Sequence, residues 1–226
     1  MKEFGGWQVN WSKFQLGKAL KITIPLALII IGGLIFFEFA DGLVENELHE
    51  FDHSIISVIA QAESENMTKI GIFITNMGDA VTLTVLTILL CVYLLVNKRY
   101  ALAVFVASAN LLGGAINWIL KASFERERPS LRVFIEQGGF SFPSGHAMGS
   151  MIMYGSLAVI IVMLVDRLAV SISFSIIIAV IIMLIGVSRV YLGVHFPSDI
   201  FAGFAAGAAW LTMCFSCYLF YQTRKN

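Results

Sequence analysis

The chain has 226 residues, of which 58% are hydrophobic and 13% charged, with a mean hydropathy of +0.83. An ordinary soluble domain carries about 25% charged residues, so the composition excludes that class and marks an integral membrane protein. The 15 basic and 15 acidic residues cancel, which leaves no global field to draw in nucleic acid.

Residues 1–21 interleave Trp7, Trp11 and Phe14 with Lys13, Lys18 and Lys21, a pattern suited to an amphipathic segment at the lipid headgroups. Apolar runs of about 20 residues, enough to cross a hydrocarbon core of roughly 30 Å, then recur along the chain. The first extends from Ile22 to about Phe39. It exceeds the ~7–15 residues of a signal-peptide core, and no small-x-small site follows it. Asp41 to Glu65 is acidic, without Lys or Arg, and surrounds an apolar patch of Ile55, Ile56, Val58 and Ile59; it reads as an external loop partly seated on the membrane surface. Further spans are predicted from Ile70 to Val96, Tyr100 to Leu120, Pro143 or Ser144 to about Val165, Leu168 to Val187, and Pro197 to about Tyr221. The fifth gives way at Ser188 and Arg189. The expectation is an all-α polytopic protein of six transmembrane helices, forming a single membrane-embedded domain over residues 1–226.

Lys and Arg beside the spans set orientation. They put both termini, the Lys98 turn and the Arg167 turn in the cytoplasm, with the acidic loop outside. Lys121, Arg126, Arg128 and Arg132 break the rule on the outer side, an exception that ligation of an anion explains for Lys121 and Arg128. Two spans separate residues 121–146 from residues 188–199, so both regions are expected at the same membrane face.

Three polar clusters stand in those regions: Lys121, Arg128 and Pro129; Pro143, Ser144, Gly145 and His146; Ser188, Arg189, His195 and Asp199. Ionisable groups are expensive beside a bilayer and mark function by default. Ser144, Gly145 and His146 open a helix, where free N–H groups and the positive helix end form an anion cradle; Ser144 serves equally as an ordinary N-cap. Lys121, Arg128 and Arg189 suit the oxygens of a phosphoryl group, although singly Lys121 and Arg128 suit interfacial snorkelling as well. Arg126 and Arg132 take that second reading, paired with Glu125, Glu127 or Glu136. His195 precedes Asp199 by four residues, so the carboxylate can reach Nδ1, fix the tautomer and leave Nε2 as a nucleophile. Alone, Asp199 would be a first-turn helix acid. Cys91, Cys214 and Cys217 fall within spans without a basic neighbour to favour a thiolate and read as packing residues.

Read together as Lys-x6-Arg-Pro, Pro-Ser-Gly-His and Ser-Arg-x5-His-x3-Asp, residues 121–199 resemble the three-part signature of the type 2 phosphatidic acid phosphatase superfamily, in its bacterial integral-membrane branch. The resemblance implies metal-independent hydrolysis of a lipid phosphomonoester or diphosphate through a phosphohistidine, with no cofactor. His195 is then the nucleophile, and Asp199 orients it. His146 protonates the departing oxygen and afterwards activates water, while Lys121, Arg128, Ser144, Gly145 and Arg189 hold the phosphoryl oxygens. The loop departs from a frequent family form by running Arg128-Pro129-Ser130-Leu131-Arg132 instead of repeating Arg-Pro.

The resemblance points to phosphatidylglycerophosphate, undecaprenyl diphosphate or phosphatidate as substrate. The expected setting is the bacterial plasma membrane with the site on its extracytoplasmic face, the partners being lipid substrate and bilayer, with no obligate protein partner. Two other classes stand beside this one: a phosphotransferase that passes the group to a lipid or sugar hydroxyl, and a non-catalytic lipid transporter or binding protein. A transporter commonly carries internal repeats and broken helices near the midplane; the sequence shows neither, and its ionisable groups gather at one face. Asn117, Tyr154 and Tyr191 belong either to a lipid-tail path or to helix–helix hydrogen bonding. Gly203 and Gly207 read as a close helix contact.

Overall fold

The computed structural model describes residues 20–130 and 132–225; most of the expected interfacial segment, residues 1–19, lies outside the described residues. The described residues form α1 (Leu20–Val44), α2 (His49–Ala60), α3 (Glu65–Asn76), α4 (Ala80–Val96), α5 (Tyr100–Phe124), α6 (Gly145–Leu164), α7 (Leu168–Tyr191) and α8 (Pro197–Lys225). Helices α1, α5, α6, α7 and α8 are each long and apolar enough to cross a membrane, and α3 with α4 makes a sixth span if the bent pair is one. The chain is an all-α, multi-pass membrane protein with five or six candidate spans. Large apolar side chains such as Ile22, Leu34 and Phe37 stay exposed along α1, as a face solvated by lipid requires.

The span expected to run unbroken from Ile70 to Val96 is two helices bent by 43°. Asp79 causes the break, because its side chain accepts from Val81 N at 3.0 Å and caps α4, offering the backbone an alternative to continued helix. Freed backbone groups at membrane depth must find partners. Tyr154 supplies one by donating its hydroxyl to Met77 O at 2.8 Å, which settles that tyrosine as a helix–helix hydrogen bonder. The acidic loop contains α2, whose half-buried Ile55, Ile56 and Ile59 share a face with the buried Asp52.

The fifth span also continues further than expected, through Ser188 and Arg189 to Tyr191. The sequence reading ended the span at Val187, ahead of the cation. Instead Arg189 is 1% exposed and finds polar partners inside the protein.

Helix α8 packs between α1 and α6, α6 also contacts α5 and α7, and α4 pairs with α5. Glycines allow the α6 contact: a Cβ at Gly203 would lie 2.8 Å from Ser144 O and 2.9 Å from the Ala147 Cβ, and one at Gly207 would lie 2.9 Å from Met148 O. Gly203→Val is therefore expected to destabilise the fold by about 1–3 kcal/mol through overpacking, read as a lower thermal midpoint in detergent. Gly33→Ala, where a Cβ meets nothing within 4 Å, should leave that midpoint close to wild type.

Candidate active site

The three polar clusters meet at one end of the bundle. After α5 the chain turns through Glu125 in the left-handed region, at φ 46°, and forms a loop closed by Ser141 N donating to Arg126 O at 2.8 Å. Phe142, fully buried, packs against Phe36 and Phe124 with ring centroids 5.8 and 4.9 Å away. That apolar plug anchors the short segment from Ser141 to Ser144.

Arg128 organises the loop. Its Nε donates to Gly139 O at 2.9 Å, and its Nη2 donates to Gly138 O and Phe140 O, both at 3.1 Å. Nη1 reaches Val194 O at 2.7 Å and His195 Nε2 at 3.0 Å, so all five guanidinium N–H groups are engaged. Lys121 Nζ donates to Phe140 O at 2.6 Å and Ser141 O at 3.1 Å, leaving one ammonium proton for another acceptor.

His195 lies between α7 and α8, 2% exposed. Its Nδ1 is 3.2 Å from both Asp199 Oδ2 and Ser141 Oγ, while Nε2 faces the Arg128 guanidinium, which can only donate. That pair of contacts selects the tautomer with the proton on Nδ1 and the lone pair on Nε2. Burial pushes the imidazole down from its usual value to about 4, against the Asp199 hydrogen bond, which raises it. Asp199 Oδ2 further accepts from Ser141 Oγ at 2.5 Å and Phe196 N at 2.9 Å.

A cavity of about 660 Å³ opens onto this centre. Of the residues singled out by sequence, Lys121, Arg128, Gly145, His146 and His195 line it; Ser144, Arg189 and Asp199 do not. Ser144 is fully buried and accepts from Ala147 N at 3.4 Å, so its hydroxyl caps α6, and its own N–H donates to Asp199 O at 3.0 Å. Arg189 donates to Thr75 Oγ1 at 2.7 Å and Gln137 Oε1 at 2.8 Å, with its buried Nε unpartnered. Gln137 itself lines the cavity. Away from the polar end, the cavity continues along Leu83, Thr87, Ile88, Val92, Leu111 and Ile152.

Two assignments need correcting. Arg126 is not a snorkelling cation paired with a loop glutamate: it bridges Asp52 and Asp199 at 2.8 and 2.7 Å, 12% exposed. Arg132 pairs with Glu63. The glutamates proposed for them are local in sequence but stay exposed, whereas Asp52 and Asp199 are buried carboxylates that require a cation. Asp52, Gln137, Ser141 and Thr75, which bond the candidate residues or Arg126, were missed by sequence reasoning. One signal was present for Asp52, an acid at helical spacing with Ile55, Ile56 and Ile59 and hence on the apolar face. Tyr191 bonds Thr68 at 3.0 Å and stacks on Phe134, a packing role, and Asn117 lines the cavity.

A family model described as the PAP2 superfamily matches residues 100–223. Phosphatidylglycerophosphatase B of Bacillus subtilis strain 168 is 42% identical over 93 residues, which are 41% of this chain and 46% of that protein; the alignment thus spans less than half of that relative's length. A crystal structure described as the first transmembrane PAP2 type phosphatidylglycerolphosphate phosphatase, also from Bacillus subtilis, superposes with a TM-score of 0.78 at 26% identity, covering 88% of this chain and 96% of that one. Aquifex aeolicus LpxE shares the fold, with a TM-score of 0.58 at 21% identity over 72% of this chain and 93% of its own.

Proposed function

Because the chain belongs to the PAP2 superfamily, we propose that it hydrolyses a membrane lipid phosphate, phosphatidylglycerophosphate first, through a phosphohistidine and without a metal. The observation that carries this reading is the shared cavity: two imidazoles and two cations at its polar end, apolar side chains along its length. A phosphate head can sit among Lys121, Arg128, His146 and His195 while its acyl tails remain in apolar surroundings. The preference for phosphatidylglycerophosphate rests on the printed names of the Bacillus subtilis relatives.

In the first step His195 Nε2 attacks phosphorus, the bond to the leaving oxygen breaks, and His146 gives that oxygen a proton. Attack requires the Arg128 guanidinium to swing off Nε2 onto a phosphoryl oxygen, where it stabilises charge in the transition state. Asp199 balances the cationic ring that results. In the second step His146 takes a proton from water, the hydroxide attacks phosphorus, the P–N bond breaks, and inorganic phosphate leaves. Ser144 acts by capping α6, so that the Gly145 and His146 N–H groups face the anion; Arg189 acts through Gln137.

The proposed orientation puts the site on the extracytoplasmic face of the bacterial plasma membrane, within one domain. Its support is charge placement. Lys98 and Arg99 share a cavity with Tyr221 and Gln222 near the end of α8, whereas α8 begins at the site, about 40 Å away at 1.5 Å per residue. The positive-inside rule puts the basic end in the cytoplasm.

The test is phosphate release from phosphatidylglycerophosphate, undecaprenyl diphosphate and phosphatidate by the detergent-solubilised chain, with chelator and without acceptor. Hydrolysis of phosphatidylglycerophosphate ahead of the others is expected, and no release from any of the three ends the reading. A pH profile adds a sharper expectation. The neutral imidazole is the competent nucleophile, so kcat/KM should fall as pH drops through the His195 value, below the ordinary ~6.5 of histidine and toward about 4. An acid limb at or above ~6.5 would count against His195 as the attacking group.

A further inference from the structure

One buried ion pair, Asp52 with Arg126, takes no part in these steps. Asp52 is 3% exposed on α2, a helix whose neighbouring Phe51 and His53 face outward. Its Oδ1 accepts from Ser198 N, and its Oδ2 accepts from Ser198 Oγ and Arg126 Nη2, each at 2.8 Å. Arg126 lies over the Phe196 ring at 4.0 Å and sends Nη1 to Ser198 Oγ at 2.8 Å and Asp199 Oδ1 at 2.7 Å. The opposite oxygen of Asp199 faces His195. A continuous chain therefore runs from Asp52 through Arg126 and Asp199 to His195.

We propose that Asp52 and Arg126 are positioning residues through which α2 sets the orientation and charge of the carboxylate facing His195. The proposal rests on the phosphohistidine reading above. Held by Arg126 on Oδ1, and by Ser141 and Phe196 on Oδ2, the Asp199 carboxylate cannot rotate away from Nδ1. A lone guanidinium beside Asp199 would also compete with the developing imidazolium for the carboxylate's charge. Asp52 offsets that guanidinium, so the trio keeps one net negative charge for the ring. Burying two acids around one cation is expensive unless every lone pair is used, and here Asp52 makes three hydrogen bonds and Asp199 is held on both oxygens. Asp52 also ties down the first turn of α8 through Ser198, which fixes Asp199 from its own helix.

The experiment measures kcat, KM and the acid limb of kcat/KM for the full chain in detergent, comparing wild type with Asp52→Asn, Asp52→Glu, Arg126→Gln and the Asp52→Asn/Arg126→Gln double variant. Asp52→Asn should lower kcat about tenfold, the lower end of what losing an outer orienting partner does at metal sites, with KM within about twofold. It should also move the acid limb to lower pH, because a negative charge is lost near His195 while Lys121 on α5, Arg128 on the loop and His146 on α6 still face it. Asp52→Glu, which keeps the charge, should recover part of the rate. The double variant should be slower than Arg126→Gln alone by much less than the tenfold of Asp52→Asn, since Asp52 acts mainly through Arg126 and only in part through Ser198. A wild-type limb and kcat in Asp52→Asn, or losses that multiply in the double variant, would overturn the proposal. Should Asp52→Asn not fold, Arg126→Lys, which keeps charge but gives up the fork, carries the same judgement: an unchanged kcat overturns it. A wild-type chain that releases no lipid phosphate overturns the functional reading and this one with it. An active wild type, a dead His195→Ala and an unaltered Asp52→Asn overturn this one alone.

Discussion

His195→Ala should abolish lipid phosphate release, a fall in kcat of about 10⁴-fold or more, the scale seen when a nucleophile is removed from a covalent mechanism. Every step of the proposed reaction passes through the bond between Nε2 and phosphorus, and no other imidazole meets the geometric requirement. His195 alone has Asp199 and Ser141 at Nδ1 and a cavity-lining cation at Nε2. Lys121, Arg128 and the first turn of α6 remain to hold the phosphate, so binding should survive. The measurement is phosphate release under saturating substrate, with the thermal midpoint as a check on folding. A folded His195→Ala protein that works at near wild-type speed would end the phosphohistidine assignment.

Asp199→Asn is expected to follow, with kcat about 10³–10⁴-fold lower and KM little changed, because the substitution inverts a tautomer while keeping the shape. Asp199 Oδ2 accepts from Ser141 Oγ and Phe196 N and faces His195 Nδ1; an amide nitrogen in that place would donate to Nδ1 instead. The imidazole proton then moves to Nε2, and the lone pair needed for attack is gone. Steady-state kinetics with the thermal midpoint alongside would separate this from unfolding. A large rise in KM with kcat intact would assign Asp199 to substrate binding and contradict its orienting role.

Much of this architecture was legible along the chain. Apolar runs of bilayer length located α1 and α5 to α8 to within a few residues, because a lipid-crossing segment must satisfy its backbone internally and bury few charges; α2 and the break between α3 and α4 carry no such signal. The spacing between Lys121 and Arg128, and between His195 and Asp199, named the residues that the fold gathers at one end of the bundle. What misled the reading was local inference about charge. Arg189 was taken as a helix terminator because its partners, Thr75 and Gln137, lie on other segments. Arg126 was assigned to nearby glutamates because Asp52 is 74 residues away. Asp79 interrupts a span for a reason as local as a cap, yet a hydropathy average passes over it.

Composition and periodicity are additive along a chain, so they fixed the membrane class, the helical content and the identity of the chemical groups. The partners of a buried charge are a property of packing in three dimensions: several acids were available to Arg126, and burial selected the two that no water could serve. The same selection put Arg189 behind Gln137 and set the guanidinium of Arg128 against Nε2. Side chains acquire such roles when helices distant in sequence press together, because only then is each buried polar group confined to the partners that packing leaves beside it.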